Sequence, residues 1–255
     1  MKKIILIVSF VTLLCFDANA DFLRVEMGGG VWNQSPSGTA YYNDGIKYGT
    51  YTSSKKDYTG GYAWLLVKHP LPVVPNFRFE YSKIKDEGIV DGVGFKDFVL
   101  PSATRAKYEM NQYDIIPYYN ILDNTAWITV DFGLDIKVLD TTFKADLVQL
   151  PFTHTLSSYT DSETFVVPLV YLRSRVQIPS TGFGIEADGK YVTYNGSTLY
   201  DVRVKVDYTF DISPLIQPGI EIGYRAQKFD IKTDGDKTKV NLDFAGVYAG
   251  IMLRF

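Results

Sequence analysis

The chain has no cysteine beyond residue 15 and only two histidines, His69 and His154. Cys15 falls in a leader segment, so the mature chain has neither disulfide nor thiolate chemistry, and general-base catalysis has few candidates. Positive charge is not in surplus either. With 26 Lys and Arg against 29 Asp and Glu, the chain lacks the basic footprint that nucleic acid requires. Long apolar runs are also missing after residue 20. The nearest is "AWLLV" at 63–67, well short of the ~20 residues of a membrane helix.

Aromatic residues and glycine, by contrast, are plentiful, with 19 Tyr, 16 Phe, 3 Trp and 21 Gly, which points to strands and turns. The first twenty residues carry Lys2 and Lys3, an apolar stretch from Ile4 to Phe16 and a small-residue site at Ala18-Asn19-Ala20. That is the plan of a cleaved secretory signal, so the expected organisation is a signal peptide over 1–20 and one domain over 21–255. Leu14 before Cys15 is too large for a lipoprotein signal.

Period-2 alternation recurs along the mature chain. In "AWITVDFGLDIKV", Ile128, Val130, Phe132, Leu134, Ile136 and Val138 share one face, and Asp131, Asp135 and Lys137 lie on the other. "YDVRVKVDYTF" sets Tyr200, Val202, Val204, Val206 and Tyr208 against Asp201, Arg203, Lys205 and Asp207. A tilted strand crosses a bilayer in about 9 to 11 residues, whereas globular strands average about 5 to 6. Turn signals predict ten strands, at 22–32, 58–68, 77–84, 108–120, 126–139, 164–176, 182–194, 199–211, 218–230 and 240–255. Short turns are expected on one rim and longer polar loops at 33–57, 84–107, 140–163 and 231–239 on the other. Two aromatic girdles are expected, Phe22, Phe77, Trp127, Phe183, Phe210 and Phe255 at one level and Tyr81, Phe143, Tyr191, Tyr200 and Phe229 at the other. The fold class is therefore all-β, an antiparallel up-and-down transmembrane β-barrel of ten strands; eight is the alternative if the "NGST" hairpin lies outside the bilayer.

Five segments, "LRVEMG", "FRFEY", "ITVDFG", "FGIEAD" and "GIEIGYR", place Glu26, Glu80, Asp131, Glu186 and Glu221 on the inner face, opposite Arg24, Arg78, Arg203, Lys205, Arg225 and Arg254. Such a set either fills a small barrel with paired charges or lines an ion path. No catalytic set stands out. His69 lies in the turn "KHPLP", and His154 in a polar segment whose composition explains its neighbours Ser157, Ser158, Asp161 and Glu163. "DGDKTK" at 234–239 lacks the glycine and glutamate of a calcium loop, and "EMGGGVW" lacks the Lys-Ser/Thr and helix of a phosphate loop. No metal or other cofactor is expected. Gly28, Gly29 and Gly30 are expected to allow strand bending or close packing of lumen side chains.

The last strand, "GVYAGIMLRF", resembles the assembly signal of Gram-negative outer-membrane β-barrel proteins, with Gly250, Leu253 and Phe255 matching and Tyr248 standing where a polar residue is usual. Residues 21–255 are similar in plan to small outer-membrane barrels of the outer membrane protein A and W type. The resemblance implies an outer-membrane location, contact with outer-membrane lipids and handling by the barrel assembly machinery. It carries over no active site: the motifs of the ten-stranded omptin proteases and the His and Ser of lipid A deacylases are not recognisable here. The expected function is a non-enzymatic outer-membrane barrel with surface loops and a charge-paired, mostly blocked lumen. A narrow channel for small solutes or ions and a soluble periplasmic barrel or sandwich are the alternatives.

Overall fold

A computed structural model describes residues 23–43, 48–71, 73–92, 103–146, 158–213, 215–233 and 237–255. The expected signal segment, Phe22, His154 and the first half of the "DGDKTK" tip lie outside them. Eleven strands form one antiparallel sheet: β1 Arg24–Asn43, β2 Tyr48–Ser53, β3 Tyr58–Lys68, β4 Asn76–Gly92, β5 Thr104–Thr125, β6 Ile128–Asp146, β7 Ser158–Gln177, β8 Phe183–Tyr194, β9 Ser197–Thr209, β10 Gln217–Thr233 and β11 Thr238–Arg254. The sheet closes because β11 pairs with β1, from Glu26↔Arg254 to Tyr42↔Thr238. Closure pairs the polar backbone of the lower wall internally, which a lipid environment demands.

Strands β2 and β3 occupy one place in the wall. Both lie between β1 and β4, β3 in the lower part and β2 in the upper, with residues 54–57 interrupting them. The wall is thus ten-stranded with one strand split, and the eight-strand alternative falls because β8 and β9 are both full members. The turn that joins β8 to β9 has positive φ at Asn195 (48°) and Gly196 (77°), the conformation an Asn-Gly hairpin favours.

Stepping across paired residues from Phe183 leads through Tyr208, Ile220, Ile251, Gly29, Ala63, Tyr81, Tyr113 and Val138 to Val166. One further step of the β7–β8 register returns to β8 roughly 12 residues above the start, a shear that tilts ten strands by about 40°. Each residue then climbs about 2.5 Å along the barrel axis.

Several strands run well beyond their expected ends. β1 continues to Asn43, β4 to Gly92 and β6 to Asp146, while β5 starts at Thr104 and β7 at Ser158. Most of 33–43, 84–92, 104–107, 140–146 and 158–163 is therefore wall, not loop. Alternation persists there, but its outward half is Lys, Glu, Asp, Asn, Ser and Thr, so the composition reads as loop. Outward from β4, Phe77, Phe79 and Tyr81 give way to Lys83, Lys85 and Glu87; on β6, Leu134, Ile136 and Val138 give way to Asp140 and Lys144. The interior changes in the opposite sense, from ions to Ile84, Val90, Met110, Leu139, Leu169, Leu199, Phe229 and Phe244.

Candidate functional site: the lumen

The apolar outward band spans five or six alternating positions per strand, as in Tyr200, Val202, Val204, Val206 and Tyr208, most of them strongly exposed. At the tilt above, that is a belt of about 25 Å, the height of a bilayer's hydrocarbon zone. A water-soluble barrel would leave this belt facing water, so the soluble reading is set aside. Aromatic rings edge the belt. Phe183, Tyr208 and Phe210 interlock near the termini, with centroids 4.8 and 5.0 Å apart, and Tyr81 meets Tyr113 at 5.3 Å on the far side. Two expected girdle members do not belong to it. Phe143 packs on Tyr51 and Phe229 on Phe244, each at 6.1 Å, inside the upper barrel, because the strands carry them past the belt on inward positions.

Within the belt the lumen holds ten buried carboxylates and nine buried cations among the described residues. Glu186 receives Arg173 at 2.7 Å and Arg78 at 3.3 Å, with Lys205 at 3.5 Å and Arg175 at 3.4 Å. Arg173 also holds Asp131 at 2.6 Å. Glu80 joins Arg78, Lys190 and Arg203; the contact with Arg203 links β4 to β9, five wall positions away and so on the opposite side. Asp201 takes Arg225 at 2.7 Å and Lys137 at 3.3 Å, and Lys137 reaches Asp114 at 2.7 Å. Glu221 accepts hydrogen bonds from the Tyr62 hydroxyl (2.8 Å), the Trp64 indole (2.9 Å) and Lys205 (2.8 Å). Lys205 and Arg225 also lie over the rings of Trp64 and Trp32, at 4.6 and 4.9 Å. Buried charges persist in such a place only when paired and hydrogen-bonded.

All ten expected lumen residues come together at this lattice except Arg24, whose side chain is 44% exposed at the rim while it pairs with Glu26. It stands at the first residue of β1, where the wall ends and the side chain can turn to water. Sequence reasoning passed over Arg173, Arg175, Asp188, Lys190 and Asp114 as partners. Their signal was available in the alternate positions of "NQYDII", "YLRSRVQ" and "EADGKY", but the acidic repeat was followed without reading every inward position of its own and neighbouring strands. Asp135 is the odd member. Neither of its carboxylate oxygens has a hydrogen-bond partner among the described residues, and its nearest cations, Lys190 and Lys137, stand at 3.8 and 3.9 Å.

Above the ions, Gln112 and Gln227 exchange amide hydrogen bonds across the barrel, donor to acceptor 3.2 and 2.9 Å, and Ser82 donates to Gln112 at 3.0 Å. The apolar interior follows. Near the termini a recess of about 940 Å³ opens, floored by Arg175 and Arg254, both bound to Asp207. Gly28 leaves room for the Trp64 ring, which would lie 2.7 Å from any Cβ there, and Gly250 accommodates the Tyr62 hydroxyl in the same way. His69 is a turn residue, its Nε2 2.9 Å from the Pro75 carbonyl oxygen. Phe255 follows the last residue of the closing strand, its N–H donating to the Val25 carbonyl at 2.9 Å.

A closed ten-stranded antiparallel barrel with a lipid-height apolar belt and a polar interior is an integral outer-membrane β-barrel, and this chain is one. No family model and no curated protein matches it. Among solved structures it is similar to the outer membrane protease OmpT of Escherichia coli, at 8% identity and TM-score 0.52, over 95% of this chain and 99% of that one. Looser likenesses are Neisserial surface protein A (14% identity, TM-score 0.33, 91% and 97% covered) and OprG of Pseudomonas aeruginosa (15%, 0.33, 92% and 96%). At these identities the likeness concerns the fold.

Proposed function

We propose that the chain is a non-enzymatic outer-membrane barrel whose lumen is sealed, and which holds a rigid extension and its connecting segments at the cell surface. The observation that supports the reading is the layering of the interior, with cross-wall ion pairs at bilayer height and buried apolar side chains above them. An ion entering from the recess would meet Arg175 and Arg254 already committed to Asp207, then the lattice, then a mostly apolar zone with few polar groups to replace its water. Purified protein in planar bilayers is expected to show no conductance steps. Steps that disappear on charge reversal at Glu80 or Asp131 would overturn the sealed lumen in favour of a narrow channel.

Gly250, Leu253 and Phe255 serve, in this reading, as the signal for the barrel assembly machinery. Phe255 contributes few interior contacts, so its deletion is expected to lower outer-membrane levels strongly while leaving the unfolding of already inserted protein nearly unchanged. Normal membrane levels of the deletion variant would sink that role.

A further inference from the structure

The lipid-facing belt thins where β1 and β3 adjoin. Most of its outward residues are Val, Ile, Leu or aromatic, but here they are Gly29, paired with Ala63 on one side and Ile251 on the other, and Gly61, one outward position above Ala63. The result is a hollow of about 700 Å³ on the outside of the wall, almost wholly apolar in its lining. Ile251, 72% exposed, and Leu253 raise one bank, and Phe79, Tyr81 and Tyr113 raise the other. The aromatic bank is held in place: Phe77 stacks on Phe79 at 6.2 Å, Tyr81 meets Tyr113 at 5.3 Å, and the Tyr81 hydroxyl donates to Asn111 at 3.1 Å. Met27 and Leu65, a paired couple, close the lower end. The upper end is open, since among the described residues an added Cβ at Gly61 would find only the Gly30 carbonyl oxygen, 4.0 Å away. From Leu253 through Met27, Leu65, Ala63 and Tyr81 to Tyr113 the register climbs about 15 Å along the barrel axis. That is the hydrocarbon depth of one leaflet, half of about 30 Å.

We infer that this hollow holds one acyl chain of an outer-leaflet lipid as a resident ligand. Its surface is continuous with the belt that already faces hydrocarbon, so whatever fills it is apolar. It opens toward the outer leaflet and is closed below, and its length is that of a single chain in one leaflet. A chain lying between the two banks makes dispersion contacts on three sides, against one on the convex wall elsewhere, and so exchanges more slowly than its neighbours. A second copy of the barrel fits less well. Two convex walls meet along a narrow strip, and the raised banks would hold the partner off the floor that Gly29 and Ala63 form. The site lies on the outside of the wall and does not depend on whether the lumen conducts.

The test is native mass spectrometry of the full-length mature barrel, released from outer membranes in mild detergent, then stripped and reloaded with dipalmitoyl phosphatidylglycerol. One lipid per barrel is expected to survive release and to return on reloading. Ala63→Phe fills the hollow with a side chain that still suits hydrocarbon, and is expected to lower the retained fraction about tenfold while keeping the compact, heat-shifted form on gels. Val204→Phe, on a lipid-facing position of β9 away from the hollow, is expected to retain lipid as the wild type does. Should Ala63→Phe fail to assemble, Gly61→Leu at the open end takes its place. Three results would overturn the inference: no lipid retained by the reloaded wild type, equal retention in the filled variant, or concentration-dependent dimers that the filled variant abolishes, which would give the hollow to a second copy.

Discussion

The same strands build two regions with opposite rules. At bilayer height β4 turns Phe77, Phe79 and Tyr81 outward and Arg78 and Glu80 inward; a few residues on, it turns Lys83, Lys85 and Glu87 outward and Ile84 and Val90 inward. The alternation never breaks, but its sign changes with the solvent outside. In the lower region lipid takes the apolar face, so the interior must hold the polar one and satisfy it with ion pairs. In the upper region water takes the polar face, and the interior can pack as an ordinary apolar core. One region is held by interactions that fail badly when a single partner is lost, the other by interactions that degrade gradually with lost contact area.

The largest expected effect follows from that contrast. Glu186→Gln leaves several cations around a neutral group, and removal of one member of a buried ion set costs about 3–5 kcal/mol. Urea titration of the compact, heat-modifiable species should show this, and a midpoint close to that of the wild type would mean the lattice is far more tolerant than drawn. Next comes a matched pair of outward changes. Val204→Lys on the lipid face is expected to cost about 2–4 kcal/mol, while Lys228→Val, just above the belt, should stay within about 0.5 kcal/mol. Equal effects at the two sites would erase the proposed boundary between the regions.

The smallest effect concerns Asp86, a carboxylate within the upper interior that accepts hydrogen bonds from the Tyr51 and Ser53 hydroxyls at 2.8 and 2.9 Å. Burial pushes its carboxyl above the usual Asp value. The folded form then binds the proton more tightly than the unfolded chain does, so the contribution of Asp86 is most favourable in acid and is lost as pH rises from about 4 through the raised value. Asp86→Asn should remove this slope and raise stability at neutral pH by about 1 kcal/mol, with no difference left in acid. Melting curves across pH that remain parallel for the two proteins would contradict it.

The belt was legible in the sequence because its outward residues are Val, Ile, Leu and aromatic, the strongest period-2 signal available. The extension was not. In "NQSPSGTAYYN" and "KIKDEGIV" the alternating partner is a charge or a small residue, and local composition cannot separate a wet wall from a loop. Five of the ten carboxylates of the lattice were found from their repeat, but many of their partners lie on strands far apart in sequence. Arg203 meets Glu80 over a separation of 123 residues, a contact that only the register decides. Phe143 and Phe229 were misplaced for a related reason. An aromatic near a strand end belongs to a girdle only if it faces lipid, and that depends on where the strand truly ends.

The shear of the wall also sets the bore. Ten strands tilted by about 40° make a tube whose opposed backbones stand about 20 Å apart. Side chains of opposed strands nevertheless meet, as Arg203 with Glu80 and Gln227 with Gln112 do, so the tube is narrower along those directions than a circular section would make it. The calibre is thus matched to the reach of particular side chains. A duplicated hairpin would part every opposed pair at once and leave an aqueous channel, while the loss of one would leave too little room for the charges now inside.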